Sequence, residues 1–161
     1  MNEDHEFKLV PPGSGKTVSL VGDIYTFLMV GEETGGAYAL IEVVIPPQGG
    51  PPPHIHRRED EAFYVLEGEL EFMVNRRTVK AGPGSFLHLP KNSLHCFKNV
   101  SSTTARMLVH VAPAGLEKFF EEVGHPLKDK TAGPAPVTPA DIEKLVAVAP
   151  KYGIEIKLPP A

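Results

Sequence analysis

Three histidines and one glutamate stand apart by their spacing: His54 and His56, then Glu61, then His95 in a later segment. A strand sends alternate side chains to opposite faces, so a strand through Pro53-His54-Ile55-His56 points both imidazoles the same way. Glu61 opens the apolar run Ala62-Phe63-Tyr64-Val65-Leu66, and His95 precedes Cys96-Phe97-Lys98-Asn99 in a third strand-like stretch. Three neutral imidazoles and one carboxylate brought together suit one divalent transition metal, with positions left for water or substrate. Nitrogen and oxygen donors admit Fe, Mn, Ni, Co, Cu or Zn, and affinity order does not choose among them. A structural zinc site would recruit thiolates, but the single cysteine, Cys96, is next to His95 and on a strand points away from it.

Taken singly, each residue has a plainer explanation. One His-x-His among seven histidines is unsurprising, and Glu59-Asp60-Glu61 alone reads as a solvated acidic turn. The joint spacing is more specific: Gly49-x4-His54-x-His56-x4-Glu61-x6-Gly68, then Gly84-x5-Pro90-x4-His95-x3-Asn99. Among the three clustered acids, Glu61 shares strand direction with Phe63 and Val65, which marks it rather than Asp60 as the ligand.

The elements that must position these residues read as strands first and helices last. Thr17 to Val30 is a hairpin broken at Gly22-Asp23, and Tyr38 to Ile45 is a buried strand. Pro46 to Pro53 cannot sustain a ladder and forms a loop delivering the chain to His54. Strands are expected at Phe63–Glu67, Glu69–Val74, Phe86–Leu89, Leu94–Asn99 and Ala105–Val111, with Asn75-Arg76-Arg77 as a turn. Leu116, Phe119, Phe120 and Val123 form one helical stripe. Thr138-Pro139-Ala140-Asp141 starts a second helix, with Ile142, Leu145, Val146 and Ala149 on one face and Pro150 at its end. Both stripes are expected to serve barrel or dimer packing.

The two spaced blocks resemble the two signature motifs of the cupin superfamily, G-(x)5-H-x-H-(x)3,4-E-(x)6-G and G-(x)5-P-x-G-(x)2-H-(x)3-N. Two positions depart from them: Gln48 stands where the first glycine belongs, and Asn92 replaces the glycine after Pro90. Neither touches an expected ligand. The resemblance implies an all-β, double-stranded β-helix (jelly-roll) barrel over about residues 17–113, followed by C-terminal α-helices over about 114–161, all in a single cupin domain of residues 1–161. It implies His54, His56, Glu61 and His95 as metal ligands and a homodimer. The Gly-Gly-Pro-Pro-Pro-His-Ile-His loop, the Phe-Tyr-Val-Leu-Glu-Gly-Glu run and the C-terminal helices resemble single-domain cupins related to quercetin 2,3-dioxygenase. That likeness implies a metal-dependent dioxygenase using dioxygen on a small aromatic or enol-type substrate, with Glu61 also accepting a substrate proton. Two alternatives stand beside it: a metal-assisted isomerase or lyase on a sugar or keto acid, and a non-catalytic binding module.

Phe63, Val65, Phe86, Phe97 and Met107 are candidate pocket walls, with ordinary barrel core as the competing reading. His88 shares a strand face with Phe86 and points either into the cavity, as a proton shuttle, or to solvent. Tyr38 and Tyr64 are candidate pocket donors, with packing favoured; Asn99 has a structural role. A formal charge of -4 without a lysine or arginine block argues against a nucleic-acid partner. No apolar run approaches a membrane span, and the acidic opening Met1-Asn2-Glu3-Asp4-His5-Glu6 lacks a signal pattern, so the expected compartment is the cytoplasm.

Overall fold

The computed structural model describes residues 6–159; most of the acidic opening segment lies outside them. The chain folds into two antiparallel sheets packed face to face. Strands β1 (Lys16–Leu20), β2 (Asp23–Met29), β3 (Ala39–Ile45), β4 (His54–His56), β5 (Asp60–Glu67) and β6 (Leu70–Val74) come first. They are followed by β7 (Arg77–Ala81), β8 (Phe86–Leu89), β9 (Leu94–Asn99) and β10 (Ala105–Ala112). Helix α1 (Leu116–Val123), the short β11 (His125–Pro126), α2 (Pro139–Val148) and β12 (Ile154–Ile156) complete the order. One sheet runs β11-β1-β2-β3-β10-β5-β8 and the other β12-β4-β9-β6-β7, the alternation of chain between sheets that makes a jelly roll.

Strict alternation of burial in β3, β5 and β10 identifies the inner faces. Ile41, Val43, Ile45, Phe63, Val65, Met107, Val109 and Val111 are all buried between the sheets. Phe63, Phe72 and Phe97 meet with ring centroids 5.2 to 6.2 Å apart and close the middle of the barrel. Each buried phenylalanine contributes roughly 1.5–3 kcal/mol of apolar transfer.

The two departures from the motifs are both accommodated by backbone conformation. Gln48 has φ +66° and Asn92 φ +72°, the left-handed region that glycine normally supplies. Asn99 is structural: its amide donates to the carbonyls of Ile45 and Thr103, and its oxygen accepts from Ser101.

Helix α2 starts as expected, with a capping box between Thr138 and Asp141 and proline at the first position. Pro150 falls in a 3-10 turn that follows directly. Three strands were not anticipated: β7, β11 and β12. The last pairs Ile154 with His56 and Ile156 with His54, so β4 runs between β9 and β12. Bonds from Arg57 N to Gly153 O (2.9 Å) and Lys157 N to Pro53 O (2.8 Å) extend this pairing.

Candidate metal centre

The three histidines come from one sheet and the glutamate from the other. His54 and His95 are direct cross-strand partners of β4 and β9, which sets their rings side by side with centroids 4.4 Å apart. His56 follows two residues along β4 on the same face, 4.8 Å from His54. Glu61 lies across the barrel on β5, whose inward face continues to Phe63 and Val65. One donor atom from each of the four lies within 4.8 Å of the others. Donors about 2.0–2.2 Å from a shared centre span up to about 4.4 Å, so only small shifts separate this arrangement from coordination.

Hydrogen bonding orients the rings. Nδ1 of His54 is 2.8 Å from the Pro52 carbonyl, and Nδ1 of His95 is 3.0 Å from that of Ser93. Nδ1 of His56 is 2.8 Å from Oε1 of Glu59, with both residues buried. Each Nδ1 therefore carries its proton toward an acceptor, and each Nε2 is left with a lone pair, the tautomer that metal binding requires. Nε2 of His56 and His95 and Oε2 of Glu61 are buried without a hydrogen-bond partner among the described residues. His95 Nε2 and Glu61 Oε2 are 2.8 Å apart but lack the angles of a hydrogen bond. Buried polar atoms are rarely left so, and a cation shared among them would satisfy all three. The residues present fit a metal.

Electrostatics agree. Burial, then repulsion from His95 and His56, lowers His54 to about 3, so its imidazole is neutral. Burial opposes ionisation of Glu61, but the neighbouring imidazoles outweigh it and bring the carboxyl to about 2. For His56, burial lowers the ring but the Glu61 and Glu59 carboxylates outweigh it and raise it, a pull toward positive charge that a cation at the cluster would answer.

The cluster borders a cavity of about 60 Å³. Phe63 and Phe97 line it, as expected, along with Tyr25, Val43, Phe119 and Phe120. Four expected wall residues are placed elsewhere. Val65 and Met107 are wholly buried barrel core. Phe86, 66% exposed, and His88 point outward, because Leu89 pairs with Glu61 and Leu87 with Phe63, giving the leucines the inner face. His88 instead sits 3.6 Å from Asp60, on the outside of the sheet. Asp60 also accepts from the Lys91 amide, so of the two neighbouring acids Glu61 alone borders the cavity. Tyr38 stacks on His110 and Tyr64 is exposed; neither lines the cavity.

Several lining residues escaped the sequence reading. The helical stripes do not only pack: Phe119, Phe120 and Leu145, with Ile154 and Ile156 of β12, cover the cavity. The Ile-Glu-Ile alternation after Gly153 was the available signal for that strand. Glu59 was read as turn surface, yet it is 5% exposed and orients His56. Asp23 and Tyr25, one strand-period apart on β2, had no motif to mark them.

The family model for the cupin domain matches residues 41–111, the stretch containing all four cluster residues. Residues 41–111 therefore form a cupin domain. Quercetin 2,3-dioxygenase of Bacillus subtilis (strain 168) is 28% identical over 108 residues, 66% of this cupin and 32% of that protein. The polyketide synthase CurC of Streptomyces cyaneus is 35% identical over 60 residues, 37% of this chain and 39% of that one. The chain thus spans between about a third and two fifths of the length of the curated relatives it matches. Among solved structures, the polyketide cyclase RemF of Streptomyces resistomycificus superposes with a TM-score of 0.59 at 25% identity, covering 66% of this chain and 80% of RemF. An RmlC-like cupin of Shewanella frigidimarina shares the fold at 16% identity, with a TM-score of 0.58 over 70% of this chain and 96% of that one. No helix among the described residues is long and apolar enough to cross a membrane.

Proposed function

We propose that this cupin is a metal-dependent dioxygenase acting on a small aromatic or enol-type substrate, with His54, His56, Glu61 and His95 as ligands to one divalent transition metal. The observation that carries the reading is the cavity's composition. Four convergent donors face apolar and aromatic walls, and no lysine, arginine or asparagine lines it among the described residues. A sugar or keto acid would need such groups to bind its hydroxyls or carboxylate, which counts against the isomerase or lyase alternative. The relation to quercetin 2,3-dioxygenase supports the same substrate chemistry.

The volume favours a compact ligand. At about 10–15 Å³ per water position, the cavity of about 60 Å³ holds roughly four to six waters, the space of one substituted ring. A bound divalent ion would supply polarisation of a substrate oxygen and, if redox-active, activation of dioxygen. Glu61, ionised at neutral pH, is placed to accept the proton of a substrate hydroxyl. Phe63, Phe97, Phe119 and Phe120 hold the ring and exclude water.

A second reading, cyclisation of a polyketide, draws on the similarity to the polyketide cyclase RemF and the polyketide synthase CurC and uses the same apolar cavity. Single-domain organisation, a homodimer and a cytoplasmic setting complete the proposal. The lone cysteine supports a reducing compartment, and light scattering on the purified chain tests the dimer. Metal analysis by plasma mass spectrometry, followed by oxygen-electrode assays with catechols and other single-ring enolic substrates, tests the central reading. Stoichiometric metal that is lost in His95→Ala, with oxygen consumed on substrate addition, is the expected result. No oxygen uptake from metal-loaded protein with any of these substrates would refute the dioxygenase, and ring closure of a polyketide chain without oxygen would select the second reading.

A further inference from the structure

We propose that Asp23 and Tyr25 form a second polar pole of the cavity, which hydrogen-bonds a ligand oxygen other than those that face the histidine-glutamate cluster. The inference rests on the aromatic-substrate reading above and extends it to a ligand carrying oxygen at two positions. Asp23 opens β2 beside the Val21-Gly22 turn, is 1% exposed and is one of the residues lining the cavity. Its Oδ1 is buried without a hydrogen-bond partner, and no cation pairs with it among the described residues. A wall made only for packing would carry an apolar residue here, since a buried carboxyl with one oxygen unpartnered costs stability.

The surrounding loop makes room for the group. A Cβ on Gly49 would lie 2.6 Å from Oδ1, so the bare glycine is what allows the carboxyl to sit there. Tyr25 follows two residues along the same strand and lines the same cavity, its ring packed 4.6 Å from Phe120. Its phenol is within electrostatic reach of both Asp23 and Glu61.

Protonation completes the geometry. Burial pushes Asp23 up to about 8, against a smaller opposing effect of the Gly50 amide, so the group is a neutral acid at pH 7. Burial, with the charges of Asp23 and Glu61, also raises Tyr25, which stays protonated. Two O–H donors then line one part of an otherwise apolar wall. They suit a carbonyl, hydroxyl or ether oxygen and would reject a carboxylate, which would meet further negative charge at Glu61.

The test compares two catechols on the zinc-loaded protein, where no redox turnover occurs, by titration calorimetry. Both 4-methylcatechol and protocatechualdehyde can engage the metal through adjacent hydroxyls, but only the aldehyde offers an oxygen to the second pole. Asp23→Ala should weaken the aldehyde by about tenfold or more while leaving 4-methylcatechol within about twofold, at unchanged zinc content. Equal loss for both ligands would mean structural damage alone, and no loss for either would mean no contact; both outcomes overturn the proposal. Binding of neither catechol by the wild-type protein would sink the aromatic-substrate reading and this inference with it. Should Asp23→Ala fail to fold, Tyr25→Phe, which removes one oxygen, carries the same comparison.

Discussion

Replacing Asp23 by asparagine should stabilise this protein, and increasingly so as pH rises. The carboxyl ordinarily ionises near 3.8, and in the fold burial raises it to about 8. Between those values the native state holds a proton that the unfolded chain has released. Folding is then linked to proton uptake, and stability falls by about 1.4 kcal/mol for each pH unit across the window. The contribution is fully present below about pH 4 and is lost as pH climbs toward 8. From pH 5 to pH 8 the linkage amounts to roughly 3–4 kcal/mol, a large share of a typical domain's total. Asparagine keeps the shape and cannot ionise, so this slope disappears in the variant. Urea unfolding of chelator-treated wild type and Asp23→Asn at several pH values gives the two curves. Every other ionisable group is common to both proteins, so the difference between the curves isolates Asp23. A difference that stays constant from pH 5 to pH 8 would refute the reasoning, because it would mean that Asp23 ionises in the fold as it does in water.

Three further substitutions probe the site and its frame. Glu59→Gln should lower metal affinity by about 10- to 100-fold without abolishing binding, since it alters the acceptor that orients His56 rather than a donor; competition with a chromophoric chelator measures it. Glu61→Gln should lose metal while Asp60→Asn retains it, because only the former borders the cavity; the reverse pattern in metal analysis would displace Glu61 from the ligand set. Gly50→Ala should destabilise the fold by about 3 kcal/mol or more, because its Cβ would fall 2.0 Å from the Phe97 carbonyl at a φ of +136°. Thermal unfolding decides this, and a melting temperature equal to wild type would contradict the steric argument.

The donors of the centre were legible because their spacing reflects strand geometry that the chain cannot easily vary. His54 and His56 must be two apart to share a face, and Glu61 must alternate with Phe63 to point inward. The pocket walls were less legible. Phe86 and His88 do share a face, but only the register of β8 against β5 determines which face, and register depends on pairing between distant segments. Glu59 illustrates the opposite difficulty. Three consecutive acids read as a solvated turn, and only the return of His56 Nδ1 toward the chain three residues on explains why one of them is buried. The unanticipated β12 is three residues long, too short for periodicity to identify, and it exists because β4 offers it an edge.

That last pairing bears on how one barrel comes to serve a particular reaction. The four donors sit on strands common to the superfamily's motifs, so they cannot by themselves choose a substrate. Selection has to come from what covers them. Here the cover is the segment with no motif at all: α1 and α2 bring Phe119, Phe120 and Leu145 over the cavity, and β12 adds Ile154 and Ile156 while bracing the histidine strand from its other side. The same segment therefore sets the cavity's apolar character and supports the positions of His54 and His56. Exchanging the tail for a more polar one would alter the ligand class and loosen the donors together, so substrate choice and metal affinity are mechanically linked in this fold. Asp23 and Tyr25 come from β2 rather than from that tail, although Tyr25 packs on Phe120 of α1, so Asp23 is the polar group better placed to vary recognition without disturbing the cover.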